Sequence, residues 1–281
     1  MGTFVLMLQI DPTQITTPQL HGYLLGAIAP RPICFASTVD GKGQVNLSPY
    51  SFFNVFSANP PVMIFSPARR VRDNTTKHTL ENVQETGEVV INVVSYDMVQ
   101  QMSLSSTEYP QGVNEFVKAG FTQASSTKVA PPRVAESPVQ FECKVKEVVA
   151  LGDQGGAGNL VICEVVWIHI NEAVLDDSGK ISPQKLDPVS RLGGNWYSRA
   201  NLGLFEVEKP LRTLGIGVDA LPEQIRNSKV LTGNHLGMLA NIERLPDAAG
   251  QASSEEAIHQ NAASLLEEGA VAEAWNILIG K

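Results

Sequence analysis

Between Arg31 and Ser66 the chain sets Ser37, Thr38, Asn46, Ser48, Ser51 and Ser66 into an otherwise apolar stretch that also carries Tyr50, Phe52, Phe53 and Phe56. Apolar and aromatic surface with a few placed hydroxyls and an amide is what a small planar ligand requires. The same composition also suits an ordinary Ser/Thr-rich strand pair in a barrel. A second chemical segment follows at once. Arg69, Arg70, Arg72, Lys77 and His78 form the densest cationic run of a chain whose formal net charge is -8. It leads into a helical pattern from His78 to Thr86, stopped by Gly87. Cations, hydroxyls and the free N–H groups of a helix start make an anion site. A solvated loop before a Thr-capped helix accounts for the same residues.

Other chemistries find no support. The three cysteines, Cys34, Cys143 and Cys163, form no C-x-x-C, and the five histidines have no metal-ligand spacing. A disulfide framework and a zinc site are therefore not expected, no metal ligand is assigned, and the cysteine usage points to a reducing cytoplasm. There is no G-x-S-x-G and no paired-carboxylate motif, so no catalytic side chain is assigned. An acidic chain does not suggest nucleic acid. The opening MGTFVLMLQI lacks a cationic n-region, and no apolar run approaches a membrane span.

The elements that must position these residues read as follows. Pro18–Ala29 has Leu20, Leu24, Leu25 and Ile28 at helical spacing, ended by Pro30 and Pro32. Arg31 between the prolines is either a solvated turn residue or a cofactor or dimer contact. Ile33–Val39, the turn Asp40–Gly43 and the run from Val45 form a β-hairpin. Pro49 breaks that second run and marks an edge or a bulge. Val62–Ser66 and Glu88–Ser95 are further strands, and Tyr96–Leu104 is helical. Val139–Val149 alternates, with Phe141, Cys143 and Val145 on one face and Glu142, Lys144 and Lys146 on the other. Leu160–Ile170 returns after a glycine-rich turn, Gly152–Gly158, which lacks phosphate-loop spacing. Cys143 and Cys163 are expected as core residues on neighbouring strands. Beyond Phe205, Thr232–Leu245 and Ser254–Ile279 read as helices. The second has Ser253 or Ser254 as N-cap, with Ile258, Leu265, Val271, Trp275 and Leu278 as its apolar face.

The fixed points Arg31-Pro32-Ile33, Ser37-Thr38, Gly43, Asn46, Pro49-Tyr50-Ser51-Phe52-Phe53 and Pro60-Pro61 closely resemble the flavin reductase-like, FMN-binding split-barrel family. Lys77, Thr79, Leu80 and Asn82 match the family's K-D-T-L-x-N, with His78 in place of Asp. Ser105, Pro110, Glu115 and Phe116 match a stretch that in the family lies over or beside the flavin. Pro188, Val189, Arg191, Leu192, Gly193, Gly194 and Tyr197 match its P-V-x-R-L-G-G-x-x-Y. Asn159 stands where many relatives have a His near the nicotinamide, and Cys163 where Gly is common.

The resemblance spans about Leu20 to Arg199. It implies a mainly β protein with helices, an FMN-binding split β-barrel over residues 1–204, and a C-terminal helical extension over 205–281. It implies an FMN-binding oxidoreductase, an NAD(P)H:flavin reductase that passes hydride from nicotinamide to flavin. Such an enzyme is expected to be a cytoplasmic homodimer, with a monooxygenase as a potential partner. The alternative is an FMN-bearing electron-transfer protein reduced by a partner protein. For the flavin the resemblance marks Arg31, Ser37, Thr38, Asn46, Ser48, Pro49, Tyr50, Ser51, Phe52 and Ser66. For its phosphate it marks Lys77, His78 and Thr79, with Arg72 beside them.

Overall fold

A computed structural model describes residues 6–207, 209–210 and 214–280. The stretch read for a targeting signal begins in residues 1–5, which lie outside that set. The chain breaks between Leu204 and Phe205 into two compact units.

In the first unit, α1 (Thr17–Ala27) opens with a reciprocal cap, Thr16 with Gln19, and a proline in its first turn. β1 (Cys34–Val39) and β2 (Val45–Tyr50) form the expected hairpin, Cys34 opposite Tyr50 and Thr38 opposite Asn46. Asp40 Oδ1 tightens its turn by accepting the Lys42 and Gln44 N–H groups at 2.9 and 2.8 Å. β3 (Phe53–Ala58) and β4 (Pro61–Phe65) form the next hairpin. Then come α2 (His78–Thr86), ended by Gly87 in the left-handed region (φ 70°), and β5 (Glu88–Asn92). α3 (Val99–Leu104), α4 (Glu115–Ala119) and the short β6 (Gln123–Ala124) and β7 (Arg133–Val134) precede the long pair β8 (Val139–Ala150) and β9 (Asn159–Ile170). α5 (Pro183–Leu186) and the hairpin β10 (Val189–Arg191) with β11 (Tyr197–Arg199) complete the unit.

Seven strands form one sheet in the order β2-β1-β5-β8-β9-β4-β3. Every pairing in it is antiparallel. The run that Pro49 interrupts is two strands, β2 and β3, and they sit at opposite edges of this sheet. Laid flat, seven strands would hold those edges about 29 Å apart. Only Ser51 and Phe52 join them, a span of at most about 11 Å. The sheet must therefore roll up until its edges approach, and no ladder joins β2 to β3. This is a split barrel. Pro49 is tolerated because an edge strand has a ladder on one side only.

Cys34, Ala36, Tyr50, Met63, Phe65, Val89, Ile91, Cys143, Val161 and Cys163 pack in one core with Leu80 and Val83 of α2. The three thiols are free and buried. Burial pushes Cys34 and Cys143 well above the usual thiol range and Cys163 up to about 12, so all three are apolar packing groups with no thiolate at neutral pH. The other face of β1 and β2 packs Phe35 and Leu47 against Met98, Met102 and Phe116.

One side chain departs from the alternation. Glu142 is fully buried rather than on the polar face with Lys144 and Lys146. The loop at Thr127 and Lys128 folds over it and donates two backbone N–H groups at 2.7 and 2.5 Å, and His169 lies 2.6 Å away. Burial opposes its charge, but His169 and the two N–H groups outweigh that cost and hold the carboxyl below its usual range.

The second unit contains α6 (Glu223–Arg226), α7 (Gly233–Ala240), α8 (Glu256–Glu267) and α9 (Val271–Leu278). The single helix expected from Ser254 to Ile279 is two, because Gly269 turns the chain at φ 79°. Its N-cap is Glu255, with no side-chain cap bond. The unit has a core of its own, including Leu221, Ile225, Leu239, Ala262, Leu266, Trp275 and Leu278. No helix among the described residues is long and apolar enough to cross a membrane.

Candidate functional site

β1 and β2 pair residue against residue, so their side chains sort onto two faces. Thr38 shares a face with Asn46, Ser48 and Tyr50, whereas Ser37 and Pro49 belong to the opposite one. The first face meets α2. Asn46 Nδ2 donates to Thr79 Oγ1 at 2.7 Å, and Asn82 Nδ2 donates to Thr38 Oγ1 at 3.0 Å. All four residues are buried, so this polar seam fixes where α2 begins.

The loop into α2 is held as firmly. Arg69 donates to the side chain and carbonyl of Asn74 at 2.7 and 2.6 Å, and Asn74, at φ 57°, donates to the Asp153 carbonyl at 2.9 Å. The Arg69 and Gly156 N–H groups exchange bonds with the Ala157 and Arg69 carbonyls. A Cβ on Gly155 would come within 3.0 Å of the Arg70 and Val71 backbone, so the glycine-rich β8–β9 turn is the brace behind this loop. Asn159 adds to it by donating Nδ2 to the Pro67 carbonyl at 2.9 Å.

Together these elements make a pocket. Asn46, Ser48 and Tyr50 come from β2, Lys77, His78 and Thr79 from the start of α2, and Arg70 from the loop. Ser105–Tyr109 and Glu115 form the other wall. α2 has nine residues and Lys77 as N-cap, and no side chain caps it, so its first N–H groups remain open to a ligand. Burial lowers the Lys77 ammonium, and the neighbouring Arg70 lowers it further. Tyr50 Oη is buried without a hydrogen-bond partner. Burial pushes this phenol up to about 12. Glu115 Oε2 accepts the Leu47 N–H at 3.0 Å, and burial raises its carboxyl.

The structure thus brings Asn46, Ser48, Tyr50, Lys77, His78 and Thr79 into one pocket, with Thr38 directly behind. The rest lie elsewhere. The Arg31 guanidinium donates to the carbonyls of Leu25 (2.8 Å), Ile28 and Leu192 (3.1 Å) and, weakly, to Ser51 Oγ (3.4 Å). Phe52, at the β2–β3 corner, is partly exposed edge-on to His21, and its carbonyl accepts the Ser66 N–H. Ser37 and Ser66 have buried hydroxyls without partners. The Arg72 side chain is 73% exposed and pairs with Asp73 and Glu108. Arg70 and Glu108 are pocket residues that the sequence did not mark for the flavin or its phosphate, and Glu115 was marked only as part of a stretch over or beside the flavin. The cationic run was the signal for Arg70, but its spacing does not say which arginine turns inward.

Residues 26–183 match the model of the flavin reductase like domain. The chain belongs to that family. It is 37% identical over 205 residues to an uncharacterized protein of Halalkalibacterium halodurans, covering 72% of this chain and 97% of that one. Among solved structures it is similar to nitrilotriacetate monooxygenase component B from Bacillus cereus, at 31% identity and a TM-score of 0.67 over 73% of this chain and 99% of that chain. It is also similar to the 2-nitrobenzoate 2-nitroreductase of Pseudomonas fluorescens, at 25% identity and a TM-score of 0.64 over 75% and 100% of the two chains.

Proposed function

We propose that this protein is an FMN-binding oxidoreductase that draws hydride from NADH or NADPH. The observation that carries the reading is the meeting of an uncapped α2 N-terminus with Arg70 and Lys77 opposite the polar face of β2. Those groups suit a phosphate dianion, which accepts charge-assisted bonds from Arg and Lys and from helix N–H groups. The unpartnered Tyr50 phenol and the Ser48 hydroxyl suit an oxygen-rich chain beyond the phosphate. When bound, FMN would supply the redox chemistry, taking up hydride and passing electrons on. The protein would bind, orient and exclude water.

A homodimer and a monooxygenase partner belong to the same reading. Val55 and Phe56 on β3 and Trp167 and Ile168 on β9 are exposed apolar side chains suited to a subunit contact. The likeness to a monooxygenase component B supports the second.

The test is an anaerobic absorbance spectrum of the protein with FMN, before and after NADH or NADPH. Bleaching of the flavin band is the expected result. Bound flavin that stays oxidised with both donors would move the protein to the alternative, an electron carrier reduced by a partner protein.

A further inference from the structure

We infer that Glu108 is an internal anion that competes with the phosphate for the cations of the pocket, so that the site is built for exchange of FMN rather than permanent retention. This rests on the reading of the pocket as a phosphate site.

The carboxylate stands among three cations. Its Oε1 lies 3.3 Å from Arg70 Nε and 3.8 Å from Lys77 Nζ, and its Oε2 lies 2.9 Å from Arg72 Nη2. The Arg72 hydrogen bond is the main influence holding Glu108 below its usual range. Its neighbours on the same wall offer nothing comparable. Ser105, Ser106 and Thr107 turn their hydroxyls back onto the carbonyls of Met102, Ser103 and Leu104. Glu108 is therefore the one carboxylate that this segment presents to the cations.

A phosphate dianion at the α2 N-terminus would draw on Arg70 and Lys77, the same two cations that Oε1 holds. Both anions cannot be served at once without like-charge repulsion, so loading requires Glu108 to yield at least the Oε1 contacts. The Glu108 side chain is 42% exposed, so it can turn toward water at small cost, with Arg72 as a partner that lies away from the pocket wall. When the ligand leaves, Glu108 re-pairs the cations and lowers the barrier to emptying the site. Ion pairs open to solvent on the carboxylate side are each worth a factor of about 1.5 to 5 or somewhat more.

The test compares wild type with Glu108→Gln, which keeps shape and removes charge, in titrations with FMN and with riboflavin, which lacks the phosphate. FMN should bind the variant about three- to tenfold tighter and dissociate correspondingly slower, with riboflavin unchanged. Glu108→Asp, which keeps the charge, should stay near wild type. Unchanged or weaker FMN binding by Glu108→Gln would overturn the competition, and so would equal tightening of riboflavin. The reading beneath it fails separately, if wild type binds FMN no better than riboflavin.

Discussion

Arg31 decides between ligand contact and scaffold, and Arg31→Lys separates the two. The side chain is only 6% exposed, and its charge is disfavoured first by burial and then by Arg191. Three of its acceptors are backbone carbonyls, two near the C-terminal end of α1 and one at Leu192 beyond β10. A lysine ammonium offers three donors from a single point, so it can at best keep the pair of α1 carbonyls that Nη1 now serves. The Leu192 bond and the weaker Ser51 bond go. Hydrogen bonds from charged donors are worth about 1.5–3 kcal/mol, and the second is long, so the expected loss is about 2–3 kcal/mol. Native-state hydrogen exchange reads this locally, which matters in a chain of two compact units. Amides of α1 and of residues 189–192 should exchange about 30- to 150-fold faster. Those of α2, and the FMN dissociation constant, should change less than threefold. The reasoning is refuted if FMN binding falls more than tenfold while α1 keeps its protection, since Arg31 would then be touching the ligand.

Lys77→Met removes one of the two pocket cations while filling similar volume. FMN binding should weaken about 10- to 100-fold in a fluorescence titration while riboflavin binding stays within twofold, and equal loss of both would show a merely structural role. Glu142 has a folded-state pKa below its unfolded one, so its contribution is present above about pH 4.3 and is lost as pH falls through the lower, folded value. Denaturant midpoints from pH 3 to 7 should therefore show Glu142→Gln destabilised by about 1–3 kcal/mol at pH 7 and approaching wild type at the acid end; a pH-independent difference would count against the charge. Asn159→Ala frees the Pro67 carbonyl behind the phosphate loop. It should raise the FMN dissociation constant about three- to tenfold yet leave the nicotinamide-driven reduction rate unchanged at saturating FMN, whereas a fallen rate would give Asn159 a direct part in hydride delivery.

What the sequence made legible was local. The β1–β2 hairpin followed from Asp40–Gly43, the start of α2 from its cations and threonines, and its end from Gly87. Pro49 announced an interruption. That the two halves of the interrupted run lie at opposite edges of one sheet is a matter of closure, which no local spacing carries. The choice between Arg70 and Arg72 was equally hidden. It depends on a left-handed Asn74 and on the close fit of Gly155 against Arg70 and Val71, contacts about 80 residues apart in the chain. Glu142 misled for the same reason: strand alternation assigns it to the polar face, and a loop from elsewhere covers it. In the second unit, Gly269 was visible as a glycine but not as the end of a helix, because glycine inside an apolar helical pattern is tolerated when packing favours it.

The polarity of the pocket narrows what it can hold. Among the described residues the buried side-chain atoms without partners are the hydroxyls of Ser37, Tyr50 and Ser66 and Asn201 Oδ1, and of these residues Tyr50 is the one that lines the pocket. With its phenol pushed up to about 12, Tyr50 carries its proton at neutral pH. It can both donate and accept, but its neighbours on that face mostly donate. Lys77 and Arg70 have no acceptor to offer, and the first N–H groups of α2 have none either. Such a wall is incomplete with water-poor, apolar ligands and is best completed by one rich in acceptor oxygens. Glu108 and Glu115 run against this grain, but Glu115 Oε2 is already taken by the Leu47 N–H and Glu108 is the side chain that a ligand oxygen would replace at Arg70 and Lys77. A phosphate followed by a hydroxylated chain is therefore matched by this face of β2 and the start of α2, and a phosphate-free flavin leaves Arg70 and Lys77 paired with Glu108 rather than with ligand.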